Sequence, residues 1–172
     1  MTSEPTPEGD PALALARQCA AAMWAEDTAS RRLGMELLDV GPGRSTLTMT
    51  VRQDMVNGHG SCHGGFLATL ADSAFAFACN TYDQVTVASG FDITFIAPAR
   101  LGDVLIADAV ERARFGRSGL YDVTVTCHRG TADIVIAEFR GRSRSLGRPH
   151  LPVHDRGIDQ RVTDQHVDRS TP

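Results

Sequence analysis

The first pattern along the chain is helical. Over residues 12–26 the apolar Leu13, Ala16, Ala20 and Met23 recur near helical spacing, which predicts a helix. Residues 33–40 read as a first strand, punctuated by Gly41-Pro-Gly43. Residues 44–52 alternate, with Leu47, Met49 and Val51 on one side and Thr46, Thr48 and Thr50 on the other, the mark of a half-buried strand. A polar, glycine-rich stretch over 57–65 follows. Residues 66–80 are then apolar almost throughout. That run is too long for a typical strand and rich in Ala and Leu, so it predicts a helix. Being apolar nearly all round, that helix belongs inside. Four strands follow, over 85–96, 104–114, 120–128 and 134–142, separated by Pro98, the turn 116–119 and Arg129-Gly130. Short turns between neighbours predict an antiparallel meander. One long buried helix against an antiparallel sheet of five or six strands is an α+β layer arrangement. No internal repeat is visible.

The ends differ from this middle. Residues 1–11 are acidic and Pro-rich, and from 147 to 172 apolar periodicity gives way to Arg, Asp, His, Gln and Pro. A disordered leader and a disordered polar tail are therefore expected around one domain at 12–146. The tail holds His150, His154 and His166, which read as solvated side chains and not as metal ligands. The length of 172 residues suits one domain, and 42% hydrophobic with 22% charged residues is ordinary globular usage. A net charge of -4 argues against general affinity for nucleic acid or an anionic membrane. No apolar stretch reaches the roughly 20 residues of a membrane span, and no targeting segment is seen. The four cysteines, Cys19, Cys62, Cys79 and Cys127, are far apart and form no C-x-x-C pair. Reduced thiols in a cytoplasmic protein are the expectation.

The chemistry concentrates in Asn57-Gly-His-Gly-Ser-Cys-His-Gly-Gly and the helix after it. Asp72 stands in the middle of the apolar helix, where its neighbours at three and four residues, Ala68, Thr69, Phe75 and Ala76, include no cation. A carboxylate there is costly to desolvate, so a sequence that keeps it uses it. The plainer readings are a solvent-facing Asp72, or one paired to a distant arginine. Gly64 and Gly65 open the helix. Free N–H groups at a helix start favour negative charge and suit a developing oxyanion; a tight turn is the alternative use of the two glycines. His63 and Asn57 are polar groups able to bind a thioester or a water, or to act as turn and capping residues. His59, Cys62 and His63 match no zinc spacing. Cys62 beside His63 lacks the geometry of an activated thiol, whose partner is usually distant in sequence.

Taken together, Asn57-Gly-His, Cys62-His-Gly-Gly and Leu70-Ala-Asp-Ser-Ala-Phe-Ala resemble the hotdog-fold thioesterases, above all the phenylacetic-acid-degradation group, PaaI. The likeness runs on through Ala97-Pro-Ala-Arg-Leu-Gly-Asp103, Gly116-Arg-Ser-Gly-Leu-Tyr-Asp-Val123 and Phe139-Arg-Gly-Arg-Ser143 and covers roughly residues 30 to 145. The resemblance implies a hotdog fold, with a long central helix wrapped by a curved antiparallel sheet. It also implies a homodimer, usually paired again into a homotetramer. By position, Asp72 matches the catalytic carboxylate, as base or nucleophile, and Gly64 the residue whose N–H polarises the thioester carbonyl. Asn57 and His63 match positioning residues, and the turn 114–119 matches the region that meets coenzyme A phosphates. Arg114 and Arg117 are forked cations suited to phosphate, and Ser118 and Gly119 add donors; an ordinary charged hairpin tip is the alternative. Gly65 and Ser89 are further candidates for lining the pocket.

The function so implied is hydrolysis of an acyl-CoA, of aryl-acetyl type or with another short or medium chain. Neither a metal nor a cofactor beyond the substrate's own coenzyme A is expected. A hotdog dehydratase and a non-catalytic acyl-CoA sensor are the rival classes. Geometry adds one expectation. Asp72 lies eight residues after Gly64, roughly 12 Å along a helix axis, yet base and oxyanion donor must both approach one reacting centre. Two antiparallel copies would meet that need, with sites at the dimer interface.

Overall fold

A computed structural model describes residues 9–152. Helix α1 spans Pro11–Glu26, opened by the Asp10 carboxylate, which accepts from Ala12 N–H at 2.9 Å, and by Pro11, whose missing N–H costs nothing there. Helical order thus starts at Pro11, the last residue assigned to the leader; residues 1–8 lie outside the described part. Asp27 then ends α1 and caps a second short helix, α2 at Thr28–Arg32, by accepting from Ser30 N–H at 2.9 Å. Five residues are too few to show a period, so α2 has no signature in the sequence.

Strands β1, Met35–Gly41, and β2, Arg44–Thr50, form a hairpin. Leu47, Met49 and Val51 all point into the core, as their alternation predicts. A 3-10 turn at Gln53–Met55 leads to α3, Gly64–Cys79, and then to β3 at Thr86–Phe95, β4 at Val104–Phe115, β5 at Ser118–Arg129 and β6 at Ala132–Ser145. All pairings in the six-stranded sheet are antiparallel, in the order β1-β2-β4-β5-β6-β3. The meander holds for β4, β5 and β6 but does not include β3. Residues 96–103 carry the chain across from β3 to β4, which is not its neighbour, and β3 pairs with β6, from Thr86 opposite Ser145 to Phe95 opposite Ala137. Alternation along a strand sets its faces and says nothing of its neighbour.

The sheet wraps α3, which buries Leu67, Leu70, Ala71, Ala74, Phe75, Phe77 and Ala78. Phe75 lies on the backbone of Gly141, where an added Cβ would stand 2.9 Å from the ring. Tyr121 and Phe139 flank it at 5.4 and 5.9 Å. Bulges in β1, β3, β4 and between β5 and β6 bend the sheet around the helix. The burial of α3 is not complete. Gly65 and Thr69 are exposed, and Ala68, Asp72 and Ala76 are half-buried, so one stripe at helical spacing is left uncovered by the described residues.

Residues 147–152, which the composition assigns to the tail, run back along the molecule. Val85 N–H donates to Arg148 O, and Leu151 is buried. Residues 153–172, with His154 and His166, lie outside the described part. Among the described residues no helix is long and apolar enough to cross a membrane. The four cysteines are free and buried.

Candidate active site

Asn57 builds the loop before α3. Its Oδ1 accepts from His59 N–H at 2.9 Å and Ser61 N–H at 3.3 Å, while its own N–H donates to Ser61 O at 2.8 Å. That is an Asx-type turn. It leaves the Asn57 amide NH2 without a partner among the described residues. His63 is the N-cap of α3 and is exposed: its Nδ1 accepts from Gly65 N–H at 3.0 Å, which in the neutral ring leaves the proton on Nε2. Gly65 N–H is thereby used by the cap. Gly64 N–H has no partner among the described residues, at the positive end of a 16-residue helix. The ring of Phe95 lies over Gly64, with its Cζ 2.8 Å from where a Cβ would be. The glycine therefore serves a close approach, and its N–H remains open.

Asp72 sits two turns further on, in the uncovered stripe. It is neither solvent-facing nor paired: the side chain is half-buried, Oδ1 is buried without a hydrogen bond, and no arginine reaches it among the described residues. Burial pushes its carboxyl above the ordinary aspartate value. The Cys62 thiol donates to His63 O at 3.7 Å and is pushed up to about 11 by burial. It is therefore neutral at physiological pH and not a nucleophile.

The hairpin residues form a second group. Arg114, Arg117, Ser118 and Gly119 line a cavity of about 300 Å³, together with Tyr82 and Ser143. Arg114 stacks over the Tyr82 ring at 3.6 Å, and Arg117 Nε donates to Ser145 O at 2.8 Å. Ser89 is not part of this cavity. Its Oγ donates to Arg142 O at 3.0 Å, and it lines an adjoining groove with Phe115 and Leu120, which shares Ser118, Gly119 and Ser143 with the cavity. Tyr82 is one of the lining residues that the sequence does not flag, because a lone Tyr after a helix has no motif.

Within one chain, then, Asn57, His63 and Gly64 cluster at the start of α3, while Asp72 lies roughly 12 Å along the axis. The arrangement offers a raised carboxylate, an open helix-start N–H and a cation-lined cavity. These suit attack on a carbonyl in a substrate that also carries phosphate.

Comparison with known proteins fits this inventory. The family model described as Thioesterase superfamily matches residues 59–132. The acyl-coenzyme A thioesterase PaaI of Escherichia coli (strain K12) is 40% identical over 130 residues, 76% of this chain and 91% of that one. Human acyl-coenzyme A thioesterase 13 is 32% identical over 96 residues, 54% of this chain and 69% of that one. The solved E. coli PaaI protein from the phenylacetic acid degradation operon superposes with a TM-score of 0.76 at 39% identity, covering 79% of this chain and 96% of that one. A mutant of the phenylacetic acid degradation protein PaaI from Thermus thermophilus gives 0.65 at 35% identity, covering 70% and 100%.

Proposed function

The chain belongs to the thioesterase superfamily, among the hotdog-fold relatives of PaaI, and we propose that it hydrolyses acyl-CoA thioesters to the free acid and coenzyme A. The observation that carries this reading is the unpartnered, half-buried Asp72 carboxylate on the one open stripe of α3. A base without a cation to neutralise it, its basicity raised by burial, is poised to take a proton from water.

In this reading two copies pair through their β3 edges with their α3 helices antiparallel, so that Asp72 of one copy stands beside Gly64 of the other. β3 supports this: its outer edge is unpaired among the described residues, and Val87, Phe91 and Phe95 along it are 44%, 42% and 51% exposed. Gly64 N–H donates to the thioester carbonyl oxygen and holds the negative charge that develops there. Asp72 either accepts a proton from water as the hydroxyl adds to the carbonyl carbon, or adds itself to give a mixed anhydride that water then opens. In both routes the C–S bond breaks and the thiolate leaves with the bonding pair. His63 Nε2–H and the Asn57 amide are within the same loop and orient water or thioester. Arg114 and Arg117, with Ser118 and Gly119, receive the coenzyme A phosphates. An aryl-acetyl group, phenylacetyl or hydroxyphenylacetyl, is the proposed acyl class, supported by the phenylacetic acid degradation role in the relatives' names.

The test is release of free thiol from a panel of acyl-CoAs. Aryl-acetyl-CoA is expected to turn over fastest. Hydration of an enoyl thioester without thiol release would point to a dehydratase. Tight binding without turnover of any member would point to a sensor.

A further inference from the structure

The loop between α3 and β3, residues 80–85, is held more firmly than a surface connection needs. The buried Asn80 donates to Ala76 O at 3.0 Å and Thr86 O at 2.9 Å, and accepts from Thr86 N–H at 2.9 Å. Thr81 Oγ1 donates to Ala78 O at 3.0 Å and accepts from Gly43 N–H at 2.9 Å. Asp83 is the one non-glycine residue with positive φ among the described residues, at 50°. Its Oδ1 accepts from His150 N–H at 2.9 Å and Leu151 N–H at 2.7 Å. Around it, Val85 N–H donates to Arg148 O at 2.9 Å, Leu146 N–H donates to Val85 O at 2.8 Å, and Leu151 is 4% exposed. The segment after β6 is thus a strap across the loop, and Asp83 is its buckle.

What the strap secures is Tyr82. Its ring lies under the Arg114 guanidinium at 3.6 Å, and its hydroxyl lies beside Gly43 and Glu111. Glu111 also accepts from the Tyr121 hydroxyl at 2.7 Å. Both phenol hydroxyls thus lie beside the Glu111 carboxylate. Arg114 has no carboxylate partner among the described residues, whereas Arg112 on the same strand pairs with Asp122. Gly147 of the strap itself lines the cavity into which Arg114 opens. An aromatic face holds a guanidinium without neutralising it, which leaves its N–H donors for an anionic ligand.

We propose that Tyr82 and Asp83 are positioning residues for the phosphate end of the substrate: Tyr82 presents Arg114 to the cavity as a free cation, and Asp83, by clamping the strap 146–151, fixes Tyr82. This rests on the reading of Arg114 as a phosphate contact. It adds that the segment beyond the last strand is a working part of the site.

The experiment uses the full chain. Asp83→Gly keeps the positive φ and loses the acceptor, Asp83→Asn keeps an acceptor oxygen and tolerates the backbone, and Tyr82→Leu removes the ring. Asp83→Gly and Tyr82→Leu should each raise KM for an acyl-CoA by about tenfold with little change in kcat, as loss of a contact common to ground and transition states requires. The rise should shrink for an S-acyl pantetheine, and Asp83→Asn should restore the acyl-CoA value. In an Arg114→Ala background Asp83→Gly should add nothing. A readout independent of substrate is the side-chain Nε–H resonance of Arg114, displaced by the Tyr82 ring current; both single variants should return it to the value of a free arginine. An unmoved resonance in Asp83→Gly, or a KM rise that adds to that of Arg114→Ala, overturns the positioning role while the phosphate reading stands. Arg114→Ala with unchanged KM overturns the phosphate reading itself, and the proposal with it.

Discussion

At the scale of single residues, the proposed mechanism places its chemistry on Asp72, whose burial makes two opposite demands. Desolvation raises its carboxyl above the usual aspartate range of about 3.9. A carboxyl whose folded value lies above its unfolded one lends stability below the unfolded value and loses it as pH rises through the folded value. Near neutral pH the charged group is therefore a cost to folding and an asset to catalysis. Asp72→Asn should lower kcat by at least about 100-fold, the lower scale of general-base catalysis. Its melting temperature near neutral pH should equal or exceed that of the wild type. The acid limb of kcat/KM in the wild type should lie above the ordinary aspartate value. A variant that keeps most of its turnover would remove Asp72 from the mechanism, and one that unfolds would mark a structural carboxylate. Asp72 was legible in the sequence because a lone acid in an apolar run has few innocent explanations. Ser89 has no comparable signal: a serine on a strand can face either side, and this one lines a groove adjoining the Arg114 cavity, with its hydroxyl donating to Arg142 O.

At the scale of elements, α3 against the sheet is the joint that sets the site, and Phe75 on Gly141 is its tightest point. A methyl at Gly141 would stand 2.9 Å from three ring carbons. The ring is boxed in by Tyr121 and Phe139, so Gly141→Ala should cost about 1–3 kcal/mol, the usual toll of overpacking a core. Denaturant titration at unchanged m-value measures this; a cost near zero would show that α3 can slide on the sheet. Periodicity alone revealed α3 and the inward faces of β2, because a helix apolar all round and a strict alternation each have one solution. The placement of β3 was hidden for the converse reason. The apolar Val87 and Phe91 on it are exposed, with much of their surface left uncovered by the described residues. Composition also hid the strap at 146–151. A polar segment looks solvated until the acceptor that claims its N–H groups, here Asp83, is seen next to it.

At the scale of the whole molecule, two incomplete surfaces point to one partner. The stripe of α3 that holds Asp72 is uncovered, and the unpaired β3 edge is lined by exposed apolar side chains, continuing to Ile96 at 58% exposure. A second copy, paired edge to edge in the isologous manner of a two-fold dimer, would cover both at once. It would also bring together what one helix keeps roughly 12 Å apart, the Asp72 carboxylate and the Gly64 N–H. Gly64 is the first residue of α3, where proline is tolerated because the N–H has no helical partner. The neighbour that a proline ring would meet is the far end of the half-exposed Phe95 side chain, which can turn aside. Gly64→Pro therefore deletes that donor and leaves the helix standing. Alone, Asp72→Ala and Gly64→Pro should both be nearly inactive. Refolded together in equal amounts, half of the dimers are hybrids under random pairing, each with one site intact and one doubly damaged. Roughly a quarter of the wild-type sites should then return. Native mass measurement confirms hybrid formation, and activity should follow the hybrid fraction as the mixing ratio is varied. A mixture that contains hybrids and stays inactive would mean that each site is built within one chain.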